Sequence, residues 1–354
     1  MNIVTTPEVD VALAANSPVA LGVSGGKDSS TLAFATVEYL DAIGHRGPRI
    51  LIHSDLGRVE WKDSAPTCER LADRLGIELV TVRRLAGDMM DRWLVRWANN
   101  VARYSDLSCV KLILPWSTPS MRFCTSELKT DIICRDLVRR FPGQTILSAT
   151  GIRRQESSHR DKAPIARAQP KLTSAKHQTT GLDWNPILEW SLDDVLNLHH
   201  ARGFPLHEAY TKYGSSRVSC AFCIMGSRAD LLAATTCSDN DDLYREMVRL
   251  ETLSTFAFQS GWLGDVAPSL LSDDLRAGVA RAKAAAATRE RLEAQIPPHL
   301  LYTKGWPTCI PTAAEARLLC DVRAGVAEAV GLTIGFTEPG ELIARYRRLY
   351  EQAH

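Results

Sequence analysis

The stretch VALGVSGGKDSS, residues 19–30, governs how the rest of the chain is read. Val19, Ala20, Leu21 and Val23 form a short apolar run of the kind that fills a central parallel strand, and residues 31–40 (TLAFATVEYL) return apolar side chains at helical spacing. Between the two, Gly25 and Gly26 let the backbone approach a ligand closely, while Ser29 and Ser30 can satisfy free N–H groups at the helix start. Backbone donors and the positive end of the helix dipole converge on one spot, with Lys27 as a mobile cation beside it. That spot suits phosphate. The spacing is neither the GxxxxGK[ST] loop nor the GxGxxG dinucleotide turn.

Working outward, residues 49–53 (RILIH) predict a second strand with HSDLG at its carboxyl end, and residues 78–82 (ELVTV) a third. The alternation of strands and helices predicts an α/β fold, a doubly wound, mostly parallel sheet of about five strands, with ligands outside the carboxyl ends. Asp55 then faces the crevice, either as a ribose or metal ligand or as a turn residue. Residues 144–149 (QTILSA) supply the next strand, closed by Thr150 and by Gly151, the small residue that a nearby nucleotide requires. GIRRQESSHR follows, and its Arg153, Arg154 and Arg160 offer planar forks matched to phosphate or carboxylate, a solvated charged loop being the plainer reading. Residues 162–181, polar and interrupted by Pro164 and Pro170, read as a mobile loop over the crevice.

Trp93 and Trp97, four residues apart in an amphipathic stretch at 88–101, read as core. Residues 126–140 form a helix, and Ser191 caps another at 192–200. Beyond Met225 the pattern is mainly helical, over 229–234, 243–258, 274–295, 315–330 and 341–352. The chain therefore divides into a nucleotide-binding domain, 1–230, and a helical region, 231–354.

A net charge of +1 and a pI near 7.6 make no global case for nucleic acid or a membrane. No run of eighteen apolar residues occurs, and the first residues carry no basic side chain ahead of their apolar part, so neither a membrane span nor a signal peptide is expected. Nine cysteines without an export signal argue against a disulfide framework and for a reducing, cytoplasmic setting. In such a setting Cys220 and Cys223, spaced CxxC, suit zinc or iron–sulfur equally.

SGGKDS resembles the SGGxDS loop of the PP-loop ATP pyrophosphatases, which cut ATP between its α and β phosphates. With HSDLG, RFCTSELK, GIRRQES, NPI-x-x-W and YGSSRVSCAFC in that order, the chain resembles the phosphoadenosine phosphosulfate (PAPS) reductase family of the adenine nucleotide alpha hydrolase-like fold, nearest its DndC-type DNA phosphorothioation branch. The likeness spans residues 19–230. The loop is intact, and the Glu-Cys-Gly-Leu-His ending of the sulfonucleotide reductases is missing, so the resemblance implies ATP cleavage to AMP and pyrophosphate with adenylation of a substrate.

In that reading Ser24, Gly25, Gly26, Lys27 and Ser29 hold the phosphates, Asp28 or Asp55 holds Mg²⁺, Gly151 borders the nucleotide, and Arg153 and Arg154 act on the anion. The resemblance also implies a [4Fe–4S] cluster, with zinc the lesser alternative, on Cys124, Cys220 and Cys223, with Cys237 the nearest fourth ligand and Cys134 and Cys109 behind it. It implies sulfur transfer, a nucleic acid among the candidate substrates, and a sulfur donor such as a cysteine desulfurase as partner. The rival expectations are a PAPS or adenylyl sulfate reductase and a non-catalytic nucleotide-binding subunit of a modification or defence complex.

Overall fold

The computed structural model describes residues 2–259 and 261–354. Its centre is a six-stranded sheet in the order β3-β2-β1-β4-β6-β5, formed by β1 (Val19–Val23), β2 (Arg49–Asp55), β3 (Leu79–Arg83), β4 (Thr145–Ala149), β5 (Ala166–Ala168) and β6 (Thr180–Trp184). All pairs are parallel except β5 with β6. The fold is α/β, as expected, with one strand more than the sequence indicated.

Strand alternation accounts for the layers. Val19, Leu21 and Val23 pack on one face with Leu32, Phe34, Leu71, Ile187 and Trp190, while Ala20 joins Ile50, Ile52, Val80, Leu137 and Ile146 on the other. Helix α1 (Pro7–Ala14), α2 (Lys27–Ala42) and α3 (Ser64–Leu75) contribute to the first of these cores. Each large aliphatic side chain so buried contributes about 1.5–3 kcal/mol relative to exposure.

Residues 162–181 are not a mobile loop. They contain β5 and a 3-10 turn at Pro170–Leu172, and they are fastened by apolar and polar anchors. Leu172 is fully buried in the second core, the Asn185 amide donates to the Pro164 carbonyl at 2.9 Å, and the Gln169 amide donates to Asp183 at 2.9 Å. The prolines that looked like loop signals flank an edge strand, where a missing N–H does no harm.

The stretch expected as one helix at 126–140 opens with a π-helical turn, Ser126–Thr130, before Asp131–Arg140. The Leu128 carbonyl accepts from the Ser54 hydroxyl at 2.5 Å, which fixes this turn to the end of β2.

The chain forms two compact units. The first holds the sheet and comprises residues 2–89 and Ser117–Asn240; the second comprises Met90–Trp116 and Asp241–His354. The sequence placed a single boundary at 230 and assigned Met90–Trp116 to the nucleotide-binding side. In the second unit Trp93, Trp116 and Phe258 meet edge to face, with Trp93 and Trp116 centroids 5.3 Å apart and Trp116 and Phe258 centroids 5.0 Å apart. Trp93 and Trp97 are core residues, as their spacing indicated. No helix among the described residues is long and apolar enough to cross a membrane.

Candidate functional site

β1 lies between β2 and β4, so the chain leaves it in opposite directions on its two sides and a crevice opens beyond its carboxyl end. The glycine turn sits there. Gly25 has φ +76°, and a Cβ at that position would stand 3.0 Å from the Ser64 carbonyl oxygen, so the turn requires glycine on two counts. The Ser24 N–H donates to the Ser29 hydroxyl at 3.2 Å, and that hydroxyl donates to the Gly26 carbonyl at 2.8 Å. Both serines therefore shape the turn. The N–H groups of Gly25 and Gly26 have no partner among the described residues and sit at the positive end of α2.

Three charges stand beside them. The Asp28 carboxylate receives Lys27 Nζ at 2.9 Å on one oxygen and Arg153 Nε at 2.6 Å on the other. Arg153 is 4% exposed, so its guanidinium is fixed against the turn, and the trio keeps one positive charge in excess. Arg154 goes elsewhere, to Glu189 at 2.7 Å and to the carbonyls of Asp161 and Ala163. Asp55 accepts the Gly57 N–H at 2.7 Å and pairs with Arg83 at 3.2 Å, which is the turn role. Gly151 also has a packing reason to be small. A Cβ there would lie 2.6 Å from the Asp28 carbonyl oxygen, because the end of β4 packs directly on the first turn of α2.

Several site residues gave no signal in the sequence. His199 Nε2 bonds the Lys27 carbonyl at 2.9 Å, and buried His207 accepts the Ala209 N–H on Nδ1 at 2.9 Å and meets the Ser64 hydroxyl at 3.4 Å on Nε2. Burial pushes the His207 pKa down, against the pull of Asp63. His53, also buried, reaches the Val23 carbonyl from Nδ1 at 3.1 Å and the Glu60 carboxylate from Nε2 at 3.1 Å, with the Cys68 sulfur 3.9 Å from Nδ1. Burial alone would lower its pKa, but Cys68 and Glu60 outweigh burial and hold it up at about 10.

A raised imidazole pKa adds stability in full below the ordinary value near 6.5 and loses it as pH rises through about 10. Chemical denaturation is expected to show the first unit weakening by a few kcal/mol between pH 6.5 and 10, with His53→Gln removing most of that slope. An equal slope in the variant would reject the charged imidazole.

Glu60 leads from here to the cysteines, since it forms an isolated antiparallel bridge with Cys220 and the Ala221 N–H donates to the Val59 carbonyl at 2.7 Å. Cys220, Cys223 and Cys124 share one neighbourhood. Burial pushes the Cys220 thiol well above its ordinary range, Cys223, Glu60 and Cys124 add to the rise, and the Lys129 ammonium opposes it. Cys237 is buried beside Tyr213 and Lys212. Cys134 lies in the second core, its thiol pushed up to about 12 by burial, and Cys109 belongs to the second unit.

Among the described residues no three His, Cys, Asp or Glu side chains form a group that could hold a metal ion. The three neighbouring thiols match an iron–sulfur cluster in donor type, but they do not close around one point.

The glycine turn reaches the same region. A Gly26 Cβ would lie 3.5 Å from the Val218 Cβ, two residues before Cys220. The turn therefore packs against the stretch of chain that leads into the CxxC pair.

A mostly parallel sheet with an open, cation-flanked glycine turn at its switch point defines a doubly wound α/β protein. The chain belongs to the phosphoadenosine phosphosulfate reductase domain family, whose model matches residues 18–225. No curated protein matches it. Among solved structures it is similar to the U34-tRNA thiolase NcsA from Methanococcus maripaludis with its [4Fe-4S] cluster, at 18% identity over 67% of this chain and 72% of that one, TM-score 0.39. It is also similar to the phosphoadenylyl-sulfate reductase of Candida auris in a phosphate complex, at 13% identity over 62% and 98%, TM-score 0.37. A third is the FMN adenylyltransferase of Candida glabrata with FAD and inorganic pyrophosphate, at 14% identity over 58% and 55%, TM-score 0.36.

Proposed function

We propose that the protein is an ATP pyrophosphatase of the PP-loop type, which binds ATP and transfers its adenylyl group to a substrate oxygen. The observation that carries this reading is the open glycine turn with Lys27 and Arg153 held on the single carboxylate of Asp28. The free N–H groups of Gly25 and Gly26 and the end of α2 receive phosphate oxygens, and Lys27 and Arg153 stabilise charge that grows on the leaving pyrophosphate. ATP arrives as its magnesium complex. The substrate oxygen forms a bond to the α phosphorus as the bond from that phosphorus to the bridging oxygen breaks; pyrophosphate leaves with the electron pair, and the substrate proton passes to solvent. Asp28 orients both cations and is a positioning residue.

Incubation with magnesium and ATP, alone and with DNA or tRNA, should yield AMP and pyrophosphate in equal amounts in at least one mixture. Sulfite release from PAPS or adenylyl sulfate with thioredoxin would favour the reductase reading instead, and ATP binding without pyrophosphate in any mixture would favour the non-catalytic subunit.

The second part of the reading is an iron–sulfur cluster on Cys124, Cys220 and Cys223. When bound, it would supply an iron able to hold a sulfur atom for transfer from a donor such as a cysteine desulfurase. Anaerobic reconstitution should give iron and acid-labile sulfide in equal amounts with broad visible absorption, and Cys220→Ser should lower both by more than half. Zinc in place of iron, in protein purified without air, would reject it.

A further inference from the structure

The Tyr210 phenol is placed at the glycine turn without any role assigned so far. Its oxygen accepts the Lys27 N–H at 3.3 Å and the Val218 N–H at 3.2 Å, and its ring lies under the Lys27 ammonium, 5.1 Å from Nζ to the centroid. The same oxygen stands 3.4 Å from where a Gly26 Cβ would be, at the face of the turn.

Two accepted N–H bonds use the acceptor capacity of a phenol oxygen, and its own hydrogen is then the only polar atom left to place. Among the described residues that hydrogen has no acceptor. The nearby Asp28 carboxylate is already engaged by Lys27 and Arg153. Burial raises the phenol pKa, so the group stays protonated and remains a donor.

We propose that Tyr210 is a phosphate ligand of this site, its O–H donating to an oxygen of the nucleotide's phosphate chain while its oxygen keeps the Lys27 and Val218 N–H bonds. The inference rests on the ATP reading above and adds a donor from a segment remote in sequence. The phenol takes the first-turn N–H of Lys27 out of direct phosphate contact and offers its own hydrogen in its place. It also joins the phosphate site to the stretch of chain that leads to Cys220.

The test compares the full-length chain with Tyr210→Phe, which keeps the ring beneath Lys27 and removes only the hydroxyl. Titration calorimetry with ATP, inorganic pyrophosphate and adenosine is expected to show ATP and pyrophosphate binding about ten- to a hundredfold weaker in the variant, the range for a hydrogen bond to a charged group, with adenosine unchanged. In the unsubstituted chain labelled at tyrosine Cζ, the Tyr210 resonance should move on addition of pyrophosphate, which settles the matter even where the variant folds poorly. Equal ATP and pyrophosphate affinities in the two chains, or a Tyr210 resonance indifferent to pyrophosphate, overturn the proposal while the ATP reading stands. Failure of the unsubstituted chain to bind ATP or pyrophosphate at all removes both.

Discussion

Lys27→Ala is expected to slow pyrophosphate release by about a hundredfold or more, the scale seen when one preorganised donor to a transition-state charge is removed. The excess positive charge at the turn comes from Lys27 and Arg153 against Asp28 alone. Without the ammonium the remaining pair is neutral, and the leaving pyrophosphate, which gains charge as the bond breaks, meets only backbone dipoles and a guanidinium already matched to a carboxylate. The loss should fall mainly on kcat, because the two free N–H groups of the turn still receive the ground-state phosphates. The Lys27 side chain also pairs with Asp28 and lies over the Tyr210 ring, so a modest fall in the unfolding midpoint should accompany the kinetic loss. Wild-type pyrophosphate release from a well-folded Lys27→Ala chain would reject the assignment of the turn.

Gly151→Ala should be as damaging by a different route. The added methyl would lie 2.6 Å from the Asp28 carbonyl oxygen and 3.0 Å from its carbonyl carbon, both backbone atoms in the first turn of α2. A side chain could swing aside, whereas this helix start can yield only by shifting the glycine turn with it. Overpacking of this sort costs about 1–3 kcal/mol. Denaturant unfolding should show that loss, and ATP affinity should fall about tenfold or more as the turn is displaced. A variant as stable as the parent and equal to it in ATP affinity would mean that β4 and α2 separate freely, contrary to the packing.

These two residues also mark what could be read in advance. The turn at Ser24–Lys27 was legible because its chemistry is local: strand, glycines, helix start and cation are contiguous. The CxxC pair stood out by spacing alone, without indicating what it holds. Gly151 was recognised as a place where a small residue is needed, but the neighbour that demands it, the backbone of Asp28, is supplied only by β4 lying beside β1.

His53, Glu60, His207 and Tyr210 were missed because each acts on a partner distant in sequence, and an isolated histidine or tyrosine carries no trace of that. Arg154 and Arg153 are adjacent and chemically alike; which of them meets Asp28 is decided by the course of the backbone at Arg154–Glu156, where a short 3-10 turn sends the second arginine to Glu189. Residues 162–181 misled for a compositional reason, since a polar edge strand with flanking prolines has the same make-up as a surface loop. The helix at Met89–Ser105 announced an apolar face without saying which side of the chain would cover it.

That last element has a consequence for how the protein is made. Trp93 and Trp116 pack on each other, yet the phenyl rings that complete the cluster around them and Trp97, Phe256 and Phe258, come more than a hundred residues later in the chain. Until Phe256 and Phe258 have been made, these indole rings lack part of their native cover, so the nascent chain presents apolar surface throughout that interval. By the same reasoning, a shortened chain ending at Asn240 would keep every strand of the sheet and still be prone to aggregate, because its trouble lies in orphaned tryptophans and not in the nucleotide fold.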